Sequence, residues 1–348
     1  MSQRWKQRPP GSNWGDFGPD DQRGRMNWVT REKVLQGIAE VKEGRTFCCS
    51  LPLDYPGGQV LNPRRAPPRL AATQREGKQF FCRPLYEFNE NLTDVICDDQ
   101  VLLALQYSTQ WDSFAHVGGR FDADGDGRAE LLFYNGFRAG EDVVPAAQKN
   151  SEAWDRFEGT EAKALGIQNL AEHGAQGRGV LVDLHHHFGR KRIAIGYDDW
   201  MRVLDQDKVV IEKGDMVCIY TGFADVLLEM KKQPDPALVN NTCTGLNGRD
   251  EKLLQWITDS GLSVLLADNY AVELIRTALT DPLPRKQPWL PLHEHCLFKN
   301  GIHLGEMFYF SELARWLRGH QRNRFLFTAP PLRLPGAVGS PSTPIATV

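Results

Sequence analysis

The stretch Met216-Val-Cys-Ile-Tyr-Thr221-Gly222-Phe-Ala224-Asp-Val-Leu-Leu-Glu-Met230 reads as a buried strand, a glycine break and a helix. The same alternation continues on both sides. Toward the C-terminus, Asp250–Asp259 is a helix with Leu253, Leu254 and Ile257 on one side, and Leu262–Ala267 is a strand ending at Asp268. Val272–Ala278 reads as a helix, Gly301–Leu304 as a strand, Ser311–Leu317 as a helix and Arg324–Phe327 as a strand. Toward the N-terminus, Asp198–Leu204 is a short helix, and Gly179–Leu184, Ala129–Tyr134, Val101–Gln106 and Thr46–Leu53 are strands. Thr30 caps a helix over 31–42, whose apolar positions are Val34, Leu35, Ile38 and Val41. Strands interleaved with helices predict an α/β protein, with a mixed sheet flanked by helices.

Residues 1–44 are expected as an N-terminal arm and helix, 45–330 as one domain, and 331–348 as a Pro-rich tail. Residues 54–75 form a long Pro/Gly/Arg loop, of the kind that serves as a lid or an oligomer arm. The 348 residues include 41% hydrophobic and 24% charged side chains, which excludes a disordered chain. A net charge of −3 lacks the basic excess of a nucleic-acid binder. No apolar run reaches the roughly 18 residues of a membrane helix, and the first residues lack the apolar segment of a signal peptide. A cytoplasmic protein without nucleic-acid or membrane partners is expected. Seven cysteines without a CxxC pair argue against a disulfide framework or a zinc ribbon, and Cys48, Cys218 and Cys296 read as small core residues.

Three clusters can carry chemistry. The first is Gln106-Tyr-Ser-Thr109-Gln110-Trp111-Asp112-Ser-Phe114-Ala-His116, expected at the end of the Val101–Gln106 strand, where α/β sheets place their sites. Its carboxylate suits a divalent metal and its imidazole suits a ligand or a base; a hydrogen-bonded turn is the plain alternative. The second is Leu290-Pro-Leu-His293-Glu-His295, followed by Gly301-Ile-His303-Leu-Gly-Glu306. His293 and Glu306 meet at one metal only if the chain turns back at Asn300-Gly301; otherwise these are separate histidines. The third is Asp183-Leu-His185-His186-His187, where a continued strand puts Asp183, His185 and His187 on one face, unless the strand end simply dips into solvent. Asp122-Ala-Asp124-Gly-Asp126-Gly127 imitates the start of a calcium loop. Its twelfth position is Phe133 where a bidentate Glu is required, so an Asp-Gly turn is the better reading. GxSxG, GxxxxGK[ST] and GxGxxG signatures are absent, which disfavours serine hydrolases, nucleotide hydrolases and dinucleotide enzymes.

In this order the clusters resemble the cyclase family of metal-dependent hydrolases, which includes bacterial kynurenine formamidase and isatin hydrolase. The family hallmark H-x-G-T-H-x-D-x-P-x-H stands here as the Gln106–His116 frame. The later L-P-x-H and G-I-x-I-x-E segments stand as Leu290–His293 and Gly301–Glu306. Gly214-Asp215, Tyr220-Thr221-Gly222 and Ala267-Asp268 also fit the family's middle section. The resemblance runs from about 45 to 330 and implies a swivelling β/β/α fold, a divalent metal, hydrolysis of amide-type C–N bonds, and a homodimer or homotetramer. It implies Asp112, His293 and Glu306 as metal ligands and His116 as general base toward the activated water. Gln106 and Gln110 occupy the two metal-ligand histidine positions, and a neutral amide is a weaker ligand than imidazole. The set therefore points to one ion rather than two, manganese or zinc. Trp111 and Phe114, with Phe121, offer an aromatic wall or core packing, and His185, His187 and His295 are substrate-binding candidates. The leading reading is a hydrolase of a small amide, a cyclic amide or a lactone. The alternatives are a dehydratase or cyclase using the same groups, and a binding protein that has kept the fold without the catalysis.

Overall fold

The computed structural model describes residues 4–146, 159–275, 279, 281–283 and 286–348. Nine strands form one sheet: β1 (Thr46–Cys48), β2 (Gln110–Asp112), β3 (Gln176–Asp183), β4 (Met216–Tyr220), β5 (Val264–Ala267), β6 (His303–Glu306), β7 (Arg324–Thr328), β8 (Gly339–Pro341) and β9 (Ile345–Thr347). Their order across the sheet is β1-β9-β7-β3-β4-β5-β6-β2-β8. The middle strands β3, β4, β5 and β6 run parallel, and antiparallel strands flank them on both sides. The parallel strands are buried except at Gln176, the first residue of β3, as expected where both faces are covered. The α/β mixed sheet with flanking helices is the fold that the alternation predicts.

The five longer helices are α1 (Arg31–Ala39), α2 (Tyr197–Gln206), α3 (Phe223–Glu229), α4 (Glu251–Ser260) and α5 (Ser311–Gly319). Side chains alternate across the sheet. Val180, Val182, Val217, Ile219 and Leu265 pack with Trp200 and Val203 of α2 and Leu253 and Ile257 of α4. Leu181, Met216, Cys218 and Leu266 pack on the other face with Leu313 and Leu317 of α5. Gly222 opens α3 at φ +83, and a Cβ there would lie 2.3 Å from the His185 ring, so this strand-to-helix turn requires glycine.

Several sequence expectations change in the structure. Thr30 does cap α1, accepting from Lys33 N, but Leu35 and Ile38 are about half exposed. The helix instead buries Lys33 and Gly37. A Cβ at residue 37 would come within 2.8 Å of Gly177 O, so the glycine lets the helix lie close on β3. Lys33 Nζ reaches Asp215 at 3.1 Å, beside the two-pronged Arg178–Asp215 pair. A close backbone approach with a buried ion network has overridden the apolar stripe. The N-terminal arm is docked: Trp14 Nε1 donates to Phe298 O, and the buried Arg25 guanidinium donates to Ile257 O and Thr258 O. Residues 331–348 are not a tail, since β8 forms one edge of the sheet and β9 lies between β1 and β7. Val101–Gln106 is not the strand preceding the first cluster. Asp99–Leu102 pairs with Arg69–Ala72 in a separate ladder, inside the segment read as a loop. The helix expected over Val272–Ala278 is absent from its described part: Val272 has φ +57, Glu273 bridges to Leu246, and 276–278 lie outside the described residues. Cys48 is exposed, whereas Cys218 and Cys296 are buried. No helix among the described residues is long and apolar enough to cross a membrane.

Candidate metal centre

The first cluster is itself a strand of the sheet rather than the turn after one. In β2, Gln110 and Asp112 point to one face and Trp111 to the other, because successive side chains alternate. The neighbour β6 pairs Glu306 with Gln110 and Leu304 with Asp112. Glu306 and Asp112 thus stand diagonally on one face. His293 enters from the short turn Pro291–His293, immediately before a π-helical segment at Glu294–Lys299. Asp112, His293 and Glu306 each offer a ligand atom, and these atoms lie within 4.8 Å of one another. Turning the chain back at Asn300-Gly301 brings Glu306 to His293, as the sequence required.

All three side chains are buried, with side-chain exposures of 0%, 2% and 4% for Asp112, His293 and Glu306. His293 Nε2 stands 3.2 Å from Glu306 Oε1 and 4.0 Å from Asp112 Oδ2. Among the described residues, neither carboxylate oxygen of Asp112 has a hydrogen-bond partner. Burying an unpartnered carboxylate costs several kcal/mol in the absence of a compensating charge. The burial pushes Asp112 up to about 8, and the neighbouring Glu306 adds to the shift. Burial also opposes a charge on His293, but hydrogen bonds to Glu273 and Glu306 overcome it and raise this imidazole to about 10. Glu306 is held below the ordinary range, since the His293 contact outweighs its own desolvation. Two carboxylates and an imidazole around unsatisfied oxygens are a donor set that fits a divalent cation.

His116 Nε2 lies 3.7 Å from Asp112 Oδ1, and its side chain keeps 21% exposure. Desolvation, with the positive His293 and Arg65 nearby, pushes His116 down to about 3. It is therefore neutral near pH 7, and the charged form is disfavoured while His293 and Arg65 are positive.

Two residues support this group, of which the sequence reading named only His303, as a member of the second cluster. Glu273 is buried and accepts from His293 Nδ1 at 2.9 Å as well as from the backbone N–H groups of His293 and Leu292. This carboxylate fixes the ring so that Nε2 faces the other ligands, the usual arrangement behind a ligating histidine. It falls where a helix was expected, and only an acid before a Pro-rich segment marks it in the sequence. His303 Nδ1 contacts Asp112 O at 3.0 Å, with its ring stacked on Phe114.

The other sequence candidates divide clearly. Gln110 Nε2 donates to Glu306 Oε2 at 2.9 Å, so its amide orients a carboxylate. Gln106 lies outside the three-residue group; its carbonyl accepts from Arg65, and its side-chain amide covers Gly339. Trp111 and Phe114 do not form a substrate wall. Both are at 0% exposure, with Trp111 against Phe308 and donating to Ala329 O, and Phe114 against His303 and Tyr134. Phe121 packs edge-on against Trp14. His185 and His187 do not share a strand face with Asp183, because Asp183 caps the short helix Leu184–Phe188. His187 pairs with Asp207 and His185 lies against Tyr220, so neither contact reaches the metal group. His295 turns toward Thr258, which it meets at 3.0 Å.

A family model described as "Putative cyclase" matches residues 55–274. A crystal structure described as a novel cyclase is 29% identical with a TM-score of 0.72, covering 98% of this chain and 100% of its own. Isatin hydrolase A from Labrenzia aggregata, bound to benzyl benzoate, is 10% identical with a TM-score of 0.54, covering 90% and 97%. An isatin hydrolase bound to the product analogue thioisatinate is 12% identical with a TM-score of 0.52, covering 92% and 99%. These last two likenesses concern the fold. A search of curated proteins found no match.

Proposed function

Because this chain belongs to the cyclase family, we propose that it is a divalent-metal-dependent hydrolase of a small amide or cyclic amide. The observation that carries this reading is the buried, unpartnered Asp112 carboxylate grouped with His293 and Glu306 and faced by the neutral His116. Asp112, His293 and Glu306 would hold the ion, with manganese and zinc both compatible with the donors. When bound, the ion supplies Lewis-acid polarisation of the carbonyl and acidifies water. His116 takes the proton from the water that attacks the carbonyl carbon. As the C–N bond breaks, it returns that proton to the leaving nitrogen. Glu273 and Gln110 keep His293 and Glu306 in place during these transfers. The cyclic-amide class follows the motif resemblance and agrees with the names of the isatin hydrolases that share the fold.

Elemental analysis of the purified protein and a panel of amides and lactones, with manganese or zinc added, test the proposal. The wild type should carry a divalent ion and cleave members of the panel. His116→Ala should keep the ion and lose activity by roughly a hundredfold or more. Absence of any bound divalent ion, or loss of the ion in His116→Ala, would overturn the assignment. Metal binding without turnover would favour a binding protein, and water loss in place of hydrolysis a dehydratase.

A further inference from the structure

We infer that the substrate carries an anionic group, a carboxylate or equivalent acid, and that Arg65 binds it at the entrance to the Asp112–His293–Glu306 group. This deepens the proposed function and rests on it. Of the four central side chains only His116 has appreciable exposure, so a ligand approaches past His116. Arg65 lies in the loop after Asp54, and its charge reaches His116. Arg65 Nη1 donates to Gln106 O at 2.8 Å. The Gln106 amide covers Gly339, where an added Cβ would lie 2.4 Å from Gln106 Nε2, and Gly339 is the strand partner of Asp112. Arg65 also lines a narrow cleft with Gln106, Asn62, Tyr270 and Met307, the residue after Glu306. Asn62 Nδ2 fixes the far wall by donating to the Tyr270 hydroxyl at 3.3 Å. The Arg65 guanidinium is therefore tethered by one hydrogen bond beside the metal group, with its other N–H donors left to meet a ligand.

Charge points the same way. The Arg65 charge is felt by Asp112, Glu306, His116 and Tyr270, and that of Arg64 by His116 and Tyr270. Among the described residues neither arginine has a carboxylate partner, in contrast to the Arg178–Asp215 and Arg190–Glu229 pairs. A divalent ion balances Asp112 and Glu306, and a His293 that ligates it is neutral and donates its Nδ1–H to Glu273. The two arginines then outnumber the one carboxylate left, Glu273, and leave positive excess at the entrance. A guanidinium recognises a carboxylate through a planar, two-pronged contact, which supplies orientation as well as attraction. Arg65 thus holds the acid end of the substrate while the amide carbonyl faces the metal group.

Calorimetric titration with N-benzoylglycine and its neutral counterpart N-benzoylglycinamide tests this, using full-length protein with manganese and again after chelation. Wild type should bind the acid at least about tenfold more tightly than the amide. Arg65→Gln should abolish that preference and Arg65→Lys should restore part of it, with melting temperatures near wild type. Equal binding of the two probes by wild type, or failure to bind the acid, would overturn the assignment. So would a preference retained in Arg65→Gln, because the metal alone would then be holding the acid. If no amide is cleaved while an Arg65-dependent preference persists, the hydrolase reading falls and the anion site stands. If neutral amides are cleaved as well as acidic ones and Arg65→Gln changes neither, the hydrolase stands and the anion site falls.

Discussion

Among the described residues two groups of ligand-bearing side chains are close enough to hold a metal ion, and they differ in how their carboxylate oxygens are satisfied. In Asp122–Asp124–Asp126 the carboxylates are already occupied. Asp122 accepts from the backbone N–H groups of Gly125, Asp126 and Gly127, Asp124 from Asp126 N, and Asp126 from Arg128 N. Desolvation is the largest single influence on Asp122, but these contacts together outweigh it and hold the carboxyl below its ordinary range, as an Asp-Gly turn stabilised by its own backbone should. In Asp112–His293–Glu306 the geometry is as tight, yet Asp112 has no partner for either oxygen and no exposure to water. Proximity of carboxylates is shared by both groups. An unmet demand for positive charge belongs to one, and that demand is the evidence for a metal.

The largest effect should come from removing the demand. Asp112→Asn keeps the shape and deletes the charge, so stoichiometric metal should disappear by elemental analysis and activity with it. The metal-free protein should lose little stability, because Asp112 is held near 8 and is mostly uncharged at neutral pH without an ion. Full metal occupancy in a folded Asp112→Asn protein would break the comparison. A smaller effect should follow from loosening His293. Glu273→Gln retains an acceptor for the backbone but weakens the grip on His293 Nδ1, and metal affinity should fall by about 10- to 100-fold in a calorimetric titration. An unchanged affinity would mean that the backbone alone fixes the histidine.

The sequence made much of this contrast legible. Alternating apolar runs and helix signals located the four parallel strands, because strands buried on both faces are nearly continuous in apolar residues. The spacing of Asp112, His293 and Glu306 was recognisable through their motifs. What the sequence hid is what depends on the opposite side of a strand or on distant backbone. Trp111 lies between two site residues and is core only because β2 is itself a paired strand. Glu273 carries no periodic signal, since it follows residues with positive φ and meets His293 across 20 positions. The buried side of α1 depended on Gly37 and Lys33 finding Gly177 and Asp215, which no apolar count reveals. The last residues lacked a strand signal because β8 and β9 are three residues each and take their register from neighbours.

The smallest effect is expected at the satisfied cluster, and it sharpens the comparison most directly. A cation entering Asp122–Asp124–Asp126 must displace backbone N–H groups from Asp122, and the exposed loop gains nothing from removing buried charge. Phe133 occupies the position from which a calcium loop draws its bidentate carboxylate. Calcium at micromolar concentration should therefore leave the melting temperature unchanged. Asp124→Ala should alter stability by no more than about 0.5 kcal/mol, the range of an exposed substitution. The same variant should bind manganese at the Asp112 group with wild-type affinity, because no contact joins the Asp124 side chain to that group among the described residues. A clear calcium stabilisation lost in Asp124→Ala would show that carboxylates already bound to backbone can still be recruited by a metal. In that event, oxygen satisfaction would no longer separate the two clusters, and the metal assignment at Asp112 would rest on burial alone.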